Sequence, residues 1–218
     1  SSDWVRRVGS SEQITQCAND AWKVANESPG NIATLIVPAD YAWSNIQSDL
    51  PKKIKLNNRK SVDSKLIEAA YKLLSKPNSM LYLGGKFLDE ECLKFAAQIA
   101  TKTGCRLVTD TFVSRIRRGA GLPIVQQVPY FSEMAEDFLQ GTESIVFIGT
   151  KPPVSFFAYP DKKSFLSPDE AELFELCSVE ENGYEALALL SELSGSPKIA
   201  NELILSLIHI SEPTRQFA

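Results

Sequence analysis

The first part of the chain combines one helical pattern with one extended pattern. Apolar residues recur every three or four positions over 14–25, which predicts an amphipathic helix with its N-cap at Ser10 or Ser11. The segment 28–31, Ser-Pro-Gly-Asn, ends this helix, because proline lacks a backbone donor and glycine tolerates a left-handed turn. The continuous apolar and β-branched run 32–37 then predicts a parallel strand that is covered on both faces.

From residue 62 onward, predicted strands and helices alternate. Apolar runs predict strands at 80–83, 106–109, 123–126, 144–149 and 173–177, and stripes of helical period predict helices near 66–73, 88–99, 131–138 and 184–191. This alternation is typical of a parallel, doubly wound sheet with right-handed crossovers. We therefore predict an α/β protein with a Rossmann-like central domain, preceded by a partial α/β domain.

A basic and polar stretch separates these two parts. Residues 51–60 have no amphipathic period, which is typical of a solvated linker, although a basic run of this kind could also contact phosphate. The predicted organisation is the C-terminal part of a first domain at 1–47, a linker at 48–61 and a central domain at 62–204.

The last segment of the chain looks foreign to the protein. Residues 205–215 match, one for one, the reading-frame translation of a transposase adapter used to prepare sequencing libraries. We therefore expect 205–218 to be a non-native tail and exclude it from the fold prediction; the alternative is a genuine short amphipathic tail. Because the chain begins at Ser1 rather than at a methionine, we expect an internal fragment of a longer protein.

Composition and charge exclude several functional classes. The net charge of −4 gives no reason to expect nucleic acid or an anionic membrane as a partner, and the apolar run 32–37 is too short to span a bilayer. The single histidine, His209, lies in the adapter-like tail, which excludes Ser-His-Asp and Cys-His catalysis. Four cysteines without a CxxC pair are expected to be reduced thiols of a cytoplasmic protein, namely Cys17, Cys92, Cys105 and Cys177.

Glycine turns after two predicted strands are the candidate cofactor-binding elements. Gly84 and Gly85 directly follow one strand, Gly149 ends another, and Lys151 comes shortly after it. In parallel sheets, ligands bind at the carboxyl ends of strands, where glycine lets backbone N–H groups approach a phosphate. The full GxGxxG pattern is absent, so a purely structural role is the alternative for each of these residues. The basic segment 115–121 could contact a pyrophosphate or form surface ion pairs.

Three segments resemble a known family of cofactor-dependent enzymes. Residues 29–43 contain Pro-Gly, a buried strand and Pro-Ala-Asp, and resemble the end of the pyrimidine-binding domain of thiamine-diphosphate enzymes of the acetolactate synthase and benzoylformate decarboxylase group. Residues 61–193 resemble their central domain, and 149–160 is similar to bacterial proteins labelled acetolactate synthase large subunit. The resemblance implies a longer, homo-oligomeric enzyme that uses thiamine diphosphate and Mg²⁺ to decarboxylate a 2-oxo acid, as a transferase or a decarboxylase.

The resemblance also implies which parts of that enzyme this chain lacks. The family's activating glutamate lies in an earlier element, and its magnesium-binding Gly-Asp-Gly motif, found nowhere in this sequence, lies in a third domain. We therefore expect no catalytic or metal-binding residue here, and no binding of thiamine diphosphate by this chain alone. The family's FAD-binding Gly-x-Arg-Phe/Tyr-Asp stretch corresponds to 149–153, where arginine and aspartate are absent, which leaves FAD in doubt. The alternative is a stand-alone nucleotide- or FAD-binding module, or a purely structural one.

Overall fold

The chain forms two compact units, which we describe one at a time. The computed structural model describes residues 2–46, 54–157, 160 and 162–205. Its units are Ser1–Arg59 and Lys60–Ala218. The division falls within the predicted linker at 48–61, part of which lies outside the described residues, as does the predicted tail from residue 206 onward. The predicted domain limits therefore stay predictions.

In its described residues, the first unit is a two-stranded parallel sheet with two helices. Its elements in chain order are β1 (Trp4–Arg7), α1 (Ile14–Asn26), β2 (Ala33–Ile36) and α2 (Ala39–Ala42). β1 pairs with β2 in parallel. The predicted N-cap Ser10 precedes a 3-10 turn, Ser11–Gln13, that leads into α1, and its side chain makes no capping hydrogen bond. The residue before α1 itself is Gln13.

Strand β2 is less covered than its sequence suggests. The continuous run of apolar residues predicts burial on both faces, yet Ile32 and Ile36 are 61% and 47% exposed in the described structure. The apolar run therefore identified the strand but not its environment.

The second unit is built on a five-stranded, entirely parallel sheet. The strand order is β5-β4-β3-β6-β7. The elements in chain order are α3 (Ser64–Leu74), β3 (Ser79–Leu83), α4 (Glu90–Thr103), β4 (Arg106–Thr109), β5 (Gln126–Gln127), α5 (Ser132–Leu139), β6 (Ser144–Ile148), β7 (Glu172–Cys177) and α6 (Gly183–Leu193). The predicted doubly wound α/β fold is thus confirmed, although β5 is shorter and later than the strand predicted at 123–126.

Helices cover both faces of this sheet, and the alternation of side chains along each strand assigns a face to every residue. One core, beneath α3, α4 and α6, includes Leu81, Leu83, Val146 and Ile148. The opposite core, beneath α5, includes Met80, Tyr82, Ile145 and Phe147. The two central strands, β3 and β6, are therefore buried on both faces, which explains their uninterrupted apolar sequences.

The chain reverses direction across the sheet between β3 and β6. From β3 it winds outward through β4 to β5, and then returns to the other side of β3 as β6 and β7. Neighbouring loops at the carboxyl ends of β3 and β6 therefore run in opposite directions, which opens the crevice where ligands bind in such sheets. Within the described residues, no helix is long and apolar enough to cross a membrane.

Candidate functional site

Gly84 and Gly149 lie side by side at the crevice between β3 and β6. The Gly84 N–H donates to the Ile148 carbonyl at 3.0 Å, and the Gly149 N–H donates to the Cys177 carbonyl at 2.7 Å. A Cβ atom on Gly84 would lie 2.5 Å from the Thr150 Cβ atom. Glycine at position 84 is therefore required by close packing between two loops of the protein itself.

The ring of Phe87 occupies the space above Gly149. A Cβ on Gly149 would overlap this ring, and a Cβ on Gly183, at the start of α6, would lie 2.7 Å from it. Phe87 is only 4% exposed and lies in the short turn Gly85–Leu88 after β3. The cradle that these glycines provide is thus filled by a side chain of the same domain.

Gly85 and Lys151 face two different cavities. Gly85, whose φ of +58° suits glycine, lines a cleft together with Arg115 and Arg117. Lys151 lines a separate cavity on the α5 side of the sheet, near Asp110. The four predicted cofactor-binding residues therefore do not converge on one site, and their role in binding stays a prediction.

The cleft beside Gly85 is basic. It has a volume of about 380 Å³ and is also lined by Lys86 and Ser114. Among the described residues, neither Arg115 nor Arg117 forms a salt bridge. The Asp89 carboxylate accepts the Cys92 N–H at 2.9 Å and so caps α4. The Asp89 carboxylate already neutralises the partial positive charge at the N-terminus of α4. The positive charge of the cleft therefore comes from its lysine and arginine side chains.

The second cavity surrounds a carboxylate that the sequence did not single out. Asp110 follows β4 directly, and its Oδ1 accepts a hydrogen bond from the Tyr82 hydroxyl at 2.9 Å. Its Oδ2 accepts from the Thr150 hydroxyl at 2.6 Å. From the sequence, Asp110 could have been identified only by its location directly after a predicted strand, because ligands bind at that edge of a parallel sheet.

Aromatic side chains form the outer wall of this second cavity. Phe112, Tyr130 and Phe156 are in mutual contact, with ring centroids 4.9–5.8 Å apart. Phe112 and Phe156 are nevertheless 64% and 56% exposed. These two rings therefore lie outside the buried core.

The cysteines provide no reactive thiol. All four are buried, and none of them forms a disulfide bond. Burial raises the pKa of the Cys105 thiol to about 11, and burial together with the Asp89 carboxylate raises the pKa of Cys92. Because the thiolate is the nucleophilic form, these two cysteines are unreactive near neutral pH. Among the described residues, no group of three His, Cys, Asp or Glu side chains is arranged to hold a metal ion.

Comparison with known proteins finds a relative that is similar in sequence and solved structures that are similar in fold. No family model matches the chain. A protein of Mycobacterium tuberculosis strain H37Rv that bears the provisional name acetolactate synthase large subunit IlvX is 35% identical over 195 residues. These residues are 88% of this chain and 36% of IlvX. The chain is similar to an acetolactate synthase large subunit. This similarity confirms the resemblance predicted from the sequence. The chain spans about a third of the length of this relative.

Solved structures with the same fold bear related names. Benzoylformate decarboxylase from Polynucleobacter necessarius matches with a TM-score of 0.65 at 18% identity, over 94% of this chain and 41% of its own. The thiamine diphosphate-dependent 4-hydroxybenzoylformate decarboxylase of Rhodococcus jostii RHA1 matches with a TM-score of 0.63 at 18% identity, over 94% of this chain and 42% of its own. At this level of identity, these structures establish the fold that the acetolactate synthase-like chain shares with them.

Proposed function

We propose that this chain is the framework part of a longer thiamine-diphosphate enzyme that decarboxylates a 2-oxo acid and transfers the resulting acyl unit. The observation that carries the proposal is the similarity to IlvX along 88% of the chain, together with the shared fold of two decarboxylases. Residues 62–204 would serve as the central domain and residues 1–47 as the end of the preceding domain. The longer enzyme would be a cytoplasmic homo-oligomer.

We place no site for thiamine diphosphate with Mg²⁺ on the described residues of this chain. Magnesium at a phosphate group is usually held by one or two carboxylates together with phosphate oxygens, and in the described part of the chain no group of three His, Cys, Asp or Glu side chains is arranged to hold a metal ion. The backbone N–H groups of Gly84 and Gly149 are already donated to Ile148 and Cys177, and Phe87 fills the space beside Gly149. We therefore assign no step of the reaction to this chain. It supplies a rigid parallel sheet that holds other parts of the enzyme in position.

The proposal is tested on the gene and on its full-length product. The expected gene encodes an activating glutamate before this segment and a Gly-Asp-Gly motif after it. The expected full-length protein binds thiamine diphosphate in the presence of Mg²⁺, seen as quenching of tryptophan fluorescence, and releases CO₂ from pyruvate or benzoylformate. The 218-residue chain should give neither signal. A gene that ends naturally without Gly-Asp-Gly, or a full-length protein that does not bind the cofactor, contradicts the proposal.

The basic cleft beside Gly85 favours a second candidate function, the binding of a nucleotide. Lys86, Arg115 and Arg117 line a cleft of about 380 Å³ at the carboxyl end of β3, next to a turn with glycine at positive φ. Arginine and lysine side chains of this kind bind phosphate through charge-assisted hydrogen bonds. The ligand would be an ADP-containing molecule such as FAD, ADP or coenzyme A.

Titration calorimetry distinguishes this candidate from a purely structural domain. Saturable binding of ADP, FAD or coenzyme A is expected for the purified chain, and the double variant Arg115→Ala, Arg117→Ala should weaken it at least tenfold. Lys102→Ala, near the opposite end of α4, is the matched control and should bind as the parent does. Equal binding by the two variants, or no binding of any of the three nucleotides, would contradict a nucleotide site at this cleft.

A further inference from the structure

The cavity around Asp110 contains a carboxylate in a fixed orientation. Hydroxyl groups from two neighbouring strand ends, Tyr82 of β3 and Thr150 after β6, each donate to one of its oxygens. The hydrogen bonds of Asp110 therefore link the carboxyl ends of the three adjacent strands β4, β3 and β6. A carboxylate offers about four acceptor positions, so each oxygen can still accept a further hydrogen bond from a ligand.

Tyr82 supports this orientation from inside the core. The residue is fully buried, and its ring packs against Phe147 with centroids 5.3 Å apart. Burial and the charge of Asp110 both raise the pKa of the Tyr82 hydroxyl, which consequently remains a donor. Asp110 itself is partly exposed, so the carboxylate is held rigidly from below and remains accessible from the cavity.

The carboxylate has no cationic partner in the described part of the chain. The salt bridges there join other residues, and none includes Asp110 or Lys151. Lys151 nevertheless lines the same cavity. The cavity thus presents one negative and one positive group that are not paired with each other. A small molecule that carries both charges would complement them.

The remaining walls are apolar and aromatic. Val128, Pro153 and Leu166 line the cavity with the rings of Phe112, Tyr130 and Phe156. The rings lie on the exposed side, where a bound apolar group would cover part of their surface. Aromatic faces also attract an ammonium group. The cavity volume, about 240 Å³, lies below the range of drug-sized pockets and suits a small metabolite.

We propose that this cavity binds a small zwitterion, a primary ammonium and a carboxylate on an aromatic or similarly apolar body. Its ammonium would donate to Asp110, its carboxylate would pair with Lys151, and its apolar body would pack against the ring cluster. An aromatic amino acid has this chemistry. The inference does not depend on the function proposed above, because it uses only residues of this cavity.

Three related probes separate the contributions of the two charges. L-phenylalanine carries both charged groups, 2-phenylethylamine only the ammonium, and 3-phenylpropionate only the carboxylate. Titration calorimetry of the purified 218-residue chain should show saturable binding of L-phenylalanine, and binding of each single-charge analogue at least tenfold weaker. No saturable binding of L-phenylalanine at millimolar concentration overturns the proposal, as does equal affinity for the three probes.

Two lysine variants locate the site without disturbing the fold. Lys151 is exposed, so Lys151→Met should retain the thermal unfolding midpoint of the parent. It should lower the affinity for L-phenylalanine to that for 2-phenylethylamine and leave the amine's own affinity unchanged. Lys86→Met, which alters the basic cleft beside Gly85, is the control and should bind all three probes as the parent does. An unchanged affinity of Lys151→Met for L-phenylalanine places the ligand elsewhere and overturns the proposal.

Discussion

Phe87 shows how one side chain dictates the residue type at distant positions. Its buried ring occupies the space where Gly149 and Gly183 would otherwise carry a Cβ atom. These glycines follow β6 and begin α6, so the ring joins the loops after β3 and β6 to a helix of the same face. Glycine at a strand end, which in sequence is typical of a phosphate loop, is here a consequence of aromatic packing.

We expect Gly149→Ala to destabilise the central domain by about 2–5 kcal/mol. Position 149 has a φ of +66°, which costs an alanine about 1–2 kcal/mol, and the overlap with Phe87 adds about 1–3 kcal/mol of overpacking. Gly104→Ala is a matched control, since its φ is +76° and its Cβ would meet no atom within 4 Å. At position 104, the loss of unfolding free energy should contain only the cost of the positive φ. Urea unfolding measures both, and equal losses of stability would show that Phe87 does not restrict position 149.

The buried thiols predict low chemical reactivity. Cys17, Cys92, Cys105 and Cys177 are at most 4% exposed, so a thiol reagent reaches them only when the structure opens. Native protein with Ellman's reagent at neutral pH should therefore release almost no chromophore over minutes. The same protein in concentrated guanidinium should react at all four thiols. Rapid reaction of any cysteine in the native protein would contradict its burial.

At the scale of elements, the sequence was most informative where strands are buried on both faces. β3, β4 and β6 were predicted to within about one residue, because continuous apolar runs occur in a parallel sheet only where helices cover both faces. The edge strand β7 was located equally well by its shorter apolar stretch, although Glu172, Leu173 and Glu175 are exposed. β1 was missed, since Trp-Val-Arg-Arg is short and half charged. β5 was misplaced, because its two glutamines carry no hydrophobic signal and pair at the edge of the sheet.

Helix α4 offers a test of capping. Asp89 adopts an extended conformation at the N-cap, and its carboxylate accepts the Cys92 N–H at 2.9 Å. Asp89→Ala should cost about 1 kcal/mol of unfolding free energy, because one N–H of the first turn loses its acceptor. Asp89→Asn keeps an acceptor oxygen and should recover most of that loss. Chemical denaturation compares the two variants, and an equal cost for both would assign the effect to charge rather than to the cap.

At the scale of the whole molecule, the candidate sites depend on contacts that a linear sequence does not reveal. The sequence singled out four residues because each follows a strand, namely Gly84, Gly85, Gly149 and Lys151. In the structure, Gly84 and Gly149 lie in a packed contact between two loops, whereas Gly85 and Lys151 line two different cavities. Asp110 was not selected, because its partners are 28 and 40 residues away in the chain. Position at a strand end identified the edge of the sheet where these residues lie, and only the three-dimensional arrangement showed which contacts each of them makes.

The global stability should fall at alkaline pH. The pKa values of Tyr82, Cys92 and Cys105 are raised in the folded chain, mainly by burial. As the pH rises through about 8.5–10, the unfolded chain loses these protons while the folded chain retains them, so ionisation favours unfolding. Each group then lowers the unfolding free energy by up to about 1.4 kcal/mol per pH unit until its folded pKa is reached, which is about 11 for Cys105.

Urea unfolding at a series of pH values, with Cys105→Ala as the comparison, assigns part of this loss to one thiol. Near neutral pH the variant should be less stable than the parent, because it removes a buried sulfur. At about pH 10 that difference should shrink by roughly 1–2 kcal/mol, since alanine does not ionise in the unfolded chain. If the difference between the two proteins stays constant with pH, the thiol of Cys105 ionises equally in both states, and its burial does not limit stability in alkali.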